Sequence, residues 1–183
     1  LTKVQIDPGT GAEVANIWEA SAQLTAQLAV VNAGDTPWFT NRNVVTVDES
    51  GNAVPFLSGS IGANELDSLS PGRTARAKLV LEFLRGNRAN EGNSIGQFRV
   101  RVGGLLGDIV DSQALYIGPP RAPYLDGNDP GYSTFKTTFS TRPARVYVGA
   151  NDGMLHVFED ATGNEAWAFI PPELFRADKT GLG

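Results

Sequence analysis

Apolar and polar residues recur along this chain with two different periods, and the change from one to the other divides it. Near the start, Ile17, Ala20, Leu24, Leu28 and Val31 fall in steps of three and four, the spacing of one face of a helix. Glu19, Gln23 and Gln27 lie elsewhere on that surface, and Asn32-Ala33-Gly34 is the expected stop. Two short β-prone runs, Asn43 to Val47 and Ala53 to Leu57, flank Asp48-Glu49-Ser50-Gly51-Asn52 and predict a hairpin. A second helix is expected to begin near Ser70-Pro71, with Ala77, Val80, Leu81 and Leu84 as its apolar face and Gly86 at its end.

Beyond that point the period falls to two. Phe98, Val100 and Val102 alternate with Gln97, Arg99 and Arg101, the pattern of a half-buried strand. Leu115-Tyr116-Ile117 predicts another, closed by Gly118-Pro119-Pro120. A polar loop from Arg121 to Gly131 leads to a short helix that places Tyr132, Phe135 and Phe139 on one side. The last forty residues are the most regular. Strands are expected at Arg145 to Gly149, Met154 to Phe158 and Glu165 to Ile170, joined by turns at Asn151-Asp152-Gly153 and Asp160-Ala161-Thr162-Gly163. Three strands on tight turns form an antiparallel meander, most of one propeller blade.

Composition narrows the class. Of 183 residues, 41% are apolar and 19% charged, so the chain is globular. Twenty-one glycines and eleven prolines suit many turns between short strands. A net charge of −5 argues against nucleic acid as a partner. Six arginines and Lys78 between Arg73 and Arg101 form a local basic stripe, whose plainest explanation is a solvated helix and strand face. Cysteine is absent, which excludes disulfides and thiolate chemistry. No apolar run approaches the length of a membrane-spanning helix, so the chain is expected not to span a membrane. Residues Leu1 to Asp7 lack the pattern of a signal peptide, and any export signal is expected upstream.

The segment from Val148 to Phe158, which contains Gly149, Asn151, Asp152, Gly153 and His156, resembles the signature of PilC/PilY-type pilus biogenesis and tip adhesin proteins. Its continuation from Thr162 to Pro172 keeps the same pattern. Phe83 to Asn87, Phe98 to Arg101 and Leu106 to Ser112 resemble further family blocks in the family's order, and Trp18-Glu19-Ala20 resembles its helix leading into the propeller. Val157, Glu159, Thr162, Gly163 and Trp167 also resemble the tryptophan-docking repeat of quinoprotein propellers. The resemblance implies a mainly β protein: a partial β-propeller with quinoprotein-like blades, antiparallel meanders and a few peripheral helices. The 183 residues are expected to form a single domain, part of a larger propeller. A helix-containing leading segment covers about residues 1–90, and the clearest blade is 144–170. Gly149, Asn151, Asp152, Gly153, His156, Thr162, Gly163 and Trp167 are its expected blade-docking residues, with Trp167 wedged between neighbouring blades. A cut propeller would leave raw sheet edges needing cover.

No catalytic, cofactor-binding or metal-binding residue is expected. A lone histidine, His156, cannot anchor a multi-histidine metal site and is expected to be structural. Gly92-Asn93-Ser94-Ile95-Gly96 fits G-x-S-x-G but lacks the strand before it and the helix after it. Gly103-Gly104-Leu105-Leu106-Gly107 lacks the order of a dinucleotide loop. The family's calcium loop has no match at Asp48, Asp126 or Asp160, and is expected beyond Gly183. Arg85-Gly86-Asn87 lacks the carboxylate of an Arg-Gly-Asp sequence. By resemblance, the chain is a non-enzymatic, exported protein of the bacterial cell surface, pilus tip or outer membrane. It would support pilus assembly, twitching motility and adhesion, with pilus components and host or abiotic surfaces as partners. The alternatives are a quinone-cofactor dehydrogenase and an outer-membrane assembly scaffold.

Overall fold

The computed structural model describes residues 1–29 and 42–175. Its first element is a hairpin of β1 (Thr2–Ile6) and β2 (Glu13–Glu19). The Asp7 carboxylate holds the turn by accepting the Gly9 and Thr10 amides, both at 2.8 Å. The helix expected from Ile17 therefore begins three residues later, as α1 (Ala20–Ala29). Ala20, Leu24 and Leu28 are its buried stripe, whereas Ile17 is 49% exposed on the strand. Glu19 starts the helix by accepting the amides of Ser21 and Ala22, an anion on the positive end of the peptide dipoles. Val31, the last of the expected stripe, and the expected stop at Asn32-Ala33-Gly34 lie outside the described residues.

The hairpin of β3 (Val44–Val47) and β4 (Ala53–Pro55) forms as the pattern indicates. A helix without a sequence expectation, α2 (Ala63–Ser68), follows; Glu65 reaches back to the Gly62 amide at 2.9 Å. The next helix, α3 (Thr74–Arg85), starts after Ser70-Pro71 because Ser70 accepts the Arg73 amide in a turn of its own. Ala77, Leu81 and Arg85, spaced by four, are its buried residues, and Gly86 ends it.

The strand expected around Phe98 to Val102 is absent; one bridge between Glu91 and Phe98 is all that forms. The expected facing holds at Phe98, half-buried between exposed Gln97 and Arg99, and reverses at its end, where Arg101 is buried and Val102 is 93% exposed. The Arg101 guanidinium donates to Glu91, to the carbonyls of Phe83 and Asn87, and stacks over the Phe83 ring at 4.0 Å. A fully satisfied arginine outweighs the burial of two valines. The basic stripe dissolves in the same way, with Arg85 and Arg101 inside and Arg76 over Phe98.

The remaining strands are β5 (Leu115–Ile117), β6 (Arg145–Gly149), β7 (Leu155–Glu159) and β8 (Glu165–Phe169), with α4 (Tyr132–Thr138) between β5 and β6. They pair antiparallel in chain order, so β5 supplies the fourth strand of the blade. The leading segment extends the same sheet. β3 runs parallel to β8 and its carbonyls at Asn43 and Val45 accept the amides of Ala168 and Ile170, giving the order β4-β3-β8-β7-β6-β5. The blade's outer edge is thus covered from within the chain, and the outermost strands, β4 and β5, are three residues each. Alternate residues Val44, Val146, Val148, Phe158 and Ala168 point to one face, where Trp18 and the helices bury them. Full burial of each larger apolar side chain contributes about 1.5–3 kcal/mol. The sheet is open, a partial propeller rather than a closed ring.

Candidate functional site

Most of the expected blade-docking residues fall at the two ends of the β6–β7–β8 meander. At one end, the turn after Gly149 closes through the Ala150 amide on the Met154 carbonyl and the Gly153 amide on the Ala150 carbonyl. Only Gly153 takes a positive φ, 84°; Asn151 and Asp152 do not. Asn151 donates its amide to the Asp108 carbonyl, and Asp152 accepts the Gly107 amide at 3.0 Å. A Cβ on Gly107 would lie 2.5 Å from the Asp152 nitrogen, so the approach of this loop to the turn requires glycine.

His156 lies behind that turn with no solvent exposure. Its Nδ1 is 2.7 Å from Glu165 and its Nε2 is 3.1 Å from both carboxylate oxygens of Asp152. A carboxylate at each nitrogen suits the imidazolium, which donates from both. Burial opposes that charge, but the hydrogen bonds to Asp152 and Glu165 raise the His156 pKa above its ordinary value. Asp152 is held below the usual carboxylate range: burial works against its charge, and the bonds from His156, Gly107 and Met154 prevail.

Glu165 is the hub. Arg42 grips it with two bonds of 2.6 and 2.7 Å, and Gln27 of α1 pairs with its backbone amide and carbonyl. Burial opposes its charge, but Arg42 and His156 lower its pKa to about 2. Arg42 and Arg85 each donate to the other's carbonyl, and Arg85 also donates to the Phe56 carbonyl at 3.0 Å. Burial, with Arg42 alongside, lowers Arg85 to about 10, still a cation at neutral pH. Three basic side chains and two carboxylates, with Gln27, therefore join α1, the segment entering β3, α3, β7 and β8. Paired and hydrogen-bonded, such charges are tolerable in the interior; losing one partner is what costs.

The opposite end is held by an aromatic ring. Thr162 donates to Glu159 at 3.0 Å, and the Gly163 amide bonds to the Glu159 carbonyl. Gly163 has φ 75°, and a Cβ there would come within 2.7 Å of the Trp18 indole. Trp18, buried among Ala20, Val146, Val148 and Phe158, also donates its indole N–H to the Asp160 carbonyl at 2.9 Å. Trp167 occupies the other face of the sheet, half-buried and edge-on to Tyr147 with centroids 6.1 Å apart. The tryptophan seated on the Gly163 turn is Trp18.

Sequence reasoning missed Arg42, Arg85, Glu165 and Trp18 as members of the site. Arg85 carried a signal, since steps of four from Ala77 and Leu81 put it on the apolar face of α3. Arg42 carried none, because its partner lies 123 residues away. In the oxygen-rich turns the carboxylates meet protein donors: Asp48 accepts from Ser50 and Asn52, Asp126 from Ser133, and Asp160 pairs with Lys3. Among the described residues no group of three or more histidine or acidic side chains could hold a metal ion. Ser94 is exposed in a loop, its amide on Gln97, with no strand leading in and no helix leading out.

Residues 106–182 match a family model described as the PilY1 beta-propeller domain. A type IV pilus biogenesis factor PilY1 homolog of Xylella fastidiosa (strain Temecula1) is 38% identical over 144 residues, covering 76% of this chain and 11% of that protein. Type IV pilus biogenesis factor PilY1 of Pseudomonas aeruginosa strain PAK is 41% identical over 135 residues, covering 66% of this chain and 11% of that protein. In strain UCBPP-PA14 the corresponding figures are 35% over 182 residues, 91% and 14%. The chain thus spans little more than a tenth of the length of these relatives. No solved structure matches it.

Proposed function

The chain belongs to the PilY1 family and carries part of that family's β-propeller domain, and from that premise we propose that it serves type IV pilus biogenesis as a non-catalytic scaffold at the cell surface. The observation that carries this reading is the blade itself. The three strands of its meander are clamped at both turns, by buried charges at one end and by Trp18 at the other. A platform fixed in this way suits a protein that presents loops to partners. Non-catalytic work is supported by His156, whose two ring nitrogens are both engaged and buried. On this reading Gly149, Asn151, Asp152, Gly153, His156, Thr162 and Gly163 shape the blade. Trp167, with Val157 and Tyr147 on the half-open face, receives the next blade of the intact propeller. Pilus components are the partners, and surface attachment is the outcome.

The test is complementation of a strain lacking the parent gene, with surface pili counted by microscopy and attachment to glass scored in parallel. The wild-type gene should restore both, and a gene carrying Glu165→Ala should not. Normal piliation in the deletion strain would overturn the proposal. So would reduction of a dye on alcohols by the purified protein given quinone cofactor and calcium, the mark of a dehydrogenase.

A further inference from the structure

The chain contains two Asp-Pro bonds, Asp7-Pro8 and Asp129-Pro130. Such a bond carries the means of its own scission. The aspartic side chain reaches its own backbone carbonyl through a five-membered ring. Proline's amide nitrogen, which has no N–H, accepts a proton more readily than an ordinary amide and so leaves more easily. The fold treats the two bonds differently. Both carbonyls accept an amide, Asp7 from Gly11 at 2.8 Å and Asp129 from Tyr132 at 3.1 Å, so the carbonyls do not separate them. The carboxylates do. Asp7 accepts the Thr10 and Gly9 amides, which tie its side chain to the turn and hold its pKa below the ordinary value, keeping back the proton that scission needs. The Asp129 carboxylate makes no hydrogen bond or ion pair among the described residues, and residues 127–131 are exposed throughout.

We propose that Asp129–Pro130 is a self-cleavage site that, in mild acid, divides the chain into two pieces which remain one blade. The Asp129 side-chain oxygen bonds to its own carbonyl carbon and the carboxyl proton passes to the Pro130 nitrogen. The C–N bond breaks with its electron pair on that nitrogen, leaving a cyclic anhydride at Asp129 and a free Pro130 amine. Water then opens the anhydride to a side-chain and a terminal carboxyl, so one water is consumed and nothing is oxidised or reduced. Contacts that span the cut hold the pieces together. Beside it, Asp126 accepts the Ser133 amide at 2.8 Å, and the Tyr124 and Tyr132 rings meet edge to face at 5.2 Å. Farther out, β5 pairs with β6, and Arg142 donates to the Gly118 carbonyl at 3.0 Å. This inference does not rest on the pilus reading.

The experiment holds the purified chain at about pH 4, near the ordinary carboxylate pKa, or at the lowest pH where its circular dichroism still matches the neutral spectrum. Masses are followed for as long as the chain unfolded in urea at the same pH takes to become half cleaved. The folded chain should yield one fragment ending at Asp129 and one beginning at Pro130, with none ending at Asp7. In urea, where the Asp7 turn is lost, both bonds should open at similar rates. The two fragments should elute together on gel filtration and separate only in denaturant, and Asp129→Ala should abolish them. A folded chain that stays intact, equal scission at Asp7 before unfolding, fragments that persist in Asp129→Ala, or fragments that part without denaturant would overturn the proposal.

Discussion

The two ends of one blade are secured by opposite means. Behind the Asn151–Gly153 turn, four ionisable side chains, Arg42, Arg85, His156 and Glu165, are buried with the partly exposed Asp152, and are satisfied by one another and by the carbonyls of Arg42, Phe56 and Arg85. Over the Asp160–Gly163 turn, a single indole rests on a glycine that has no room for a side chain. Both devices reach back to residues before 90, so the leading segment is part of the blade's support and not an appendage. The difference lies in how they fail. A buried charge network is worth little net when complete and costs a great deal when one member is lost. An aromatic contact fails in proportion to the area and packing removed.

Glu165→Ala should have the largest effect, because it strands the buried Arg42 guanidinium and leaves His156 with Asp152 alone. A loss of about 3–5 kcal/mol in urea denaturation is expected, and a loss below about 1 kcal/mol would break the contrast. Trp18→Ala should cost about 3 kcal/mol, with no change in how stability depends on pH.

Titration sharpens the same contrast at a smaller scale. The folded-state pKa of Glu165 is lowered to about 2, so its contribution is present above the ordinary carboxylate value of 4.5 and fades as pH falls toward 2. His156 has the opposite sign. Its pKa is raised, so its contribution is complete below 6.5 and is lost as pH climbs through the raised value. Stability followed against pH should therefore decline on both sides of the mildly acidic range, and Glu165→Gln should flatten the acid limb. The smallest effect belongs to Lys3, whose pair with Asp160 at 2.7 Å is about one-third exposed. Lys3→Met should change stability by less than about 1 kcal/mol, a useful control for an ion pair at the aromatic end.

The sequence was most legible where structure is local. The β6–β8 meander follows from alternation and two turns, and the β3–β4 hairpin from Gly51 and Asn52 between two β-prone runs. Legibility failed where distant partners decide. Ile17 fits the helical stripe of Ala20 and Leu24, yet Trp18 must sit over Gly163, and that keeps residues 13–19 extended. The alternation at 97–102 reads as a strand until Arg101 finds three acceptors inside. His156 was recognisable as structural, and its two carboxylates lie only four and nine residues away on the meander; what stays hidden is Arg42, which steadies Glu165 from 123 residues away. A second ring also went unread: Trp18, from the leading segment, sits on the Gly163 turn, while Trp167 lies on the opposite face beside Tyr147.

The central claim is that the Arg42–Glu165 pair couples the leading segment to the blade. A double-mutant cycle on Arg42→Met and Glu165→Leu, read by urea denaturation of the chain, tests it most directly. The two substitutions together should cost at least about 1.5 kcal/mol less than the sum of each alone, since a contacting pair is strongly non-additive. Additivity within about 0.5 kcal/mol, the behaviour of independent sites, would contradict it.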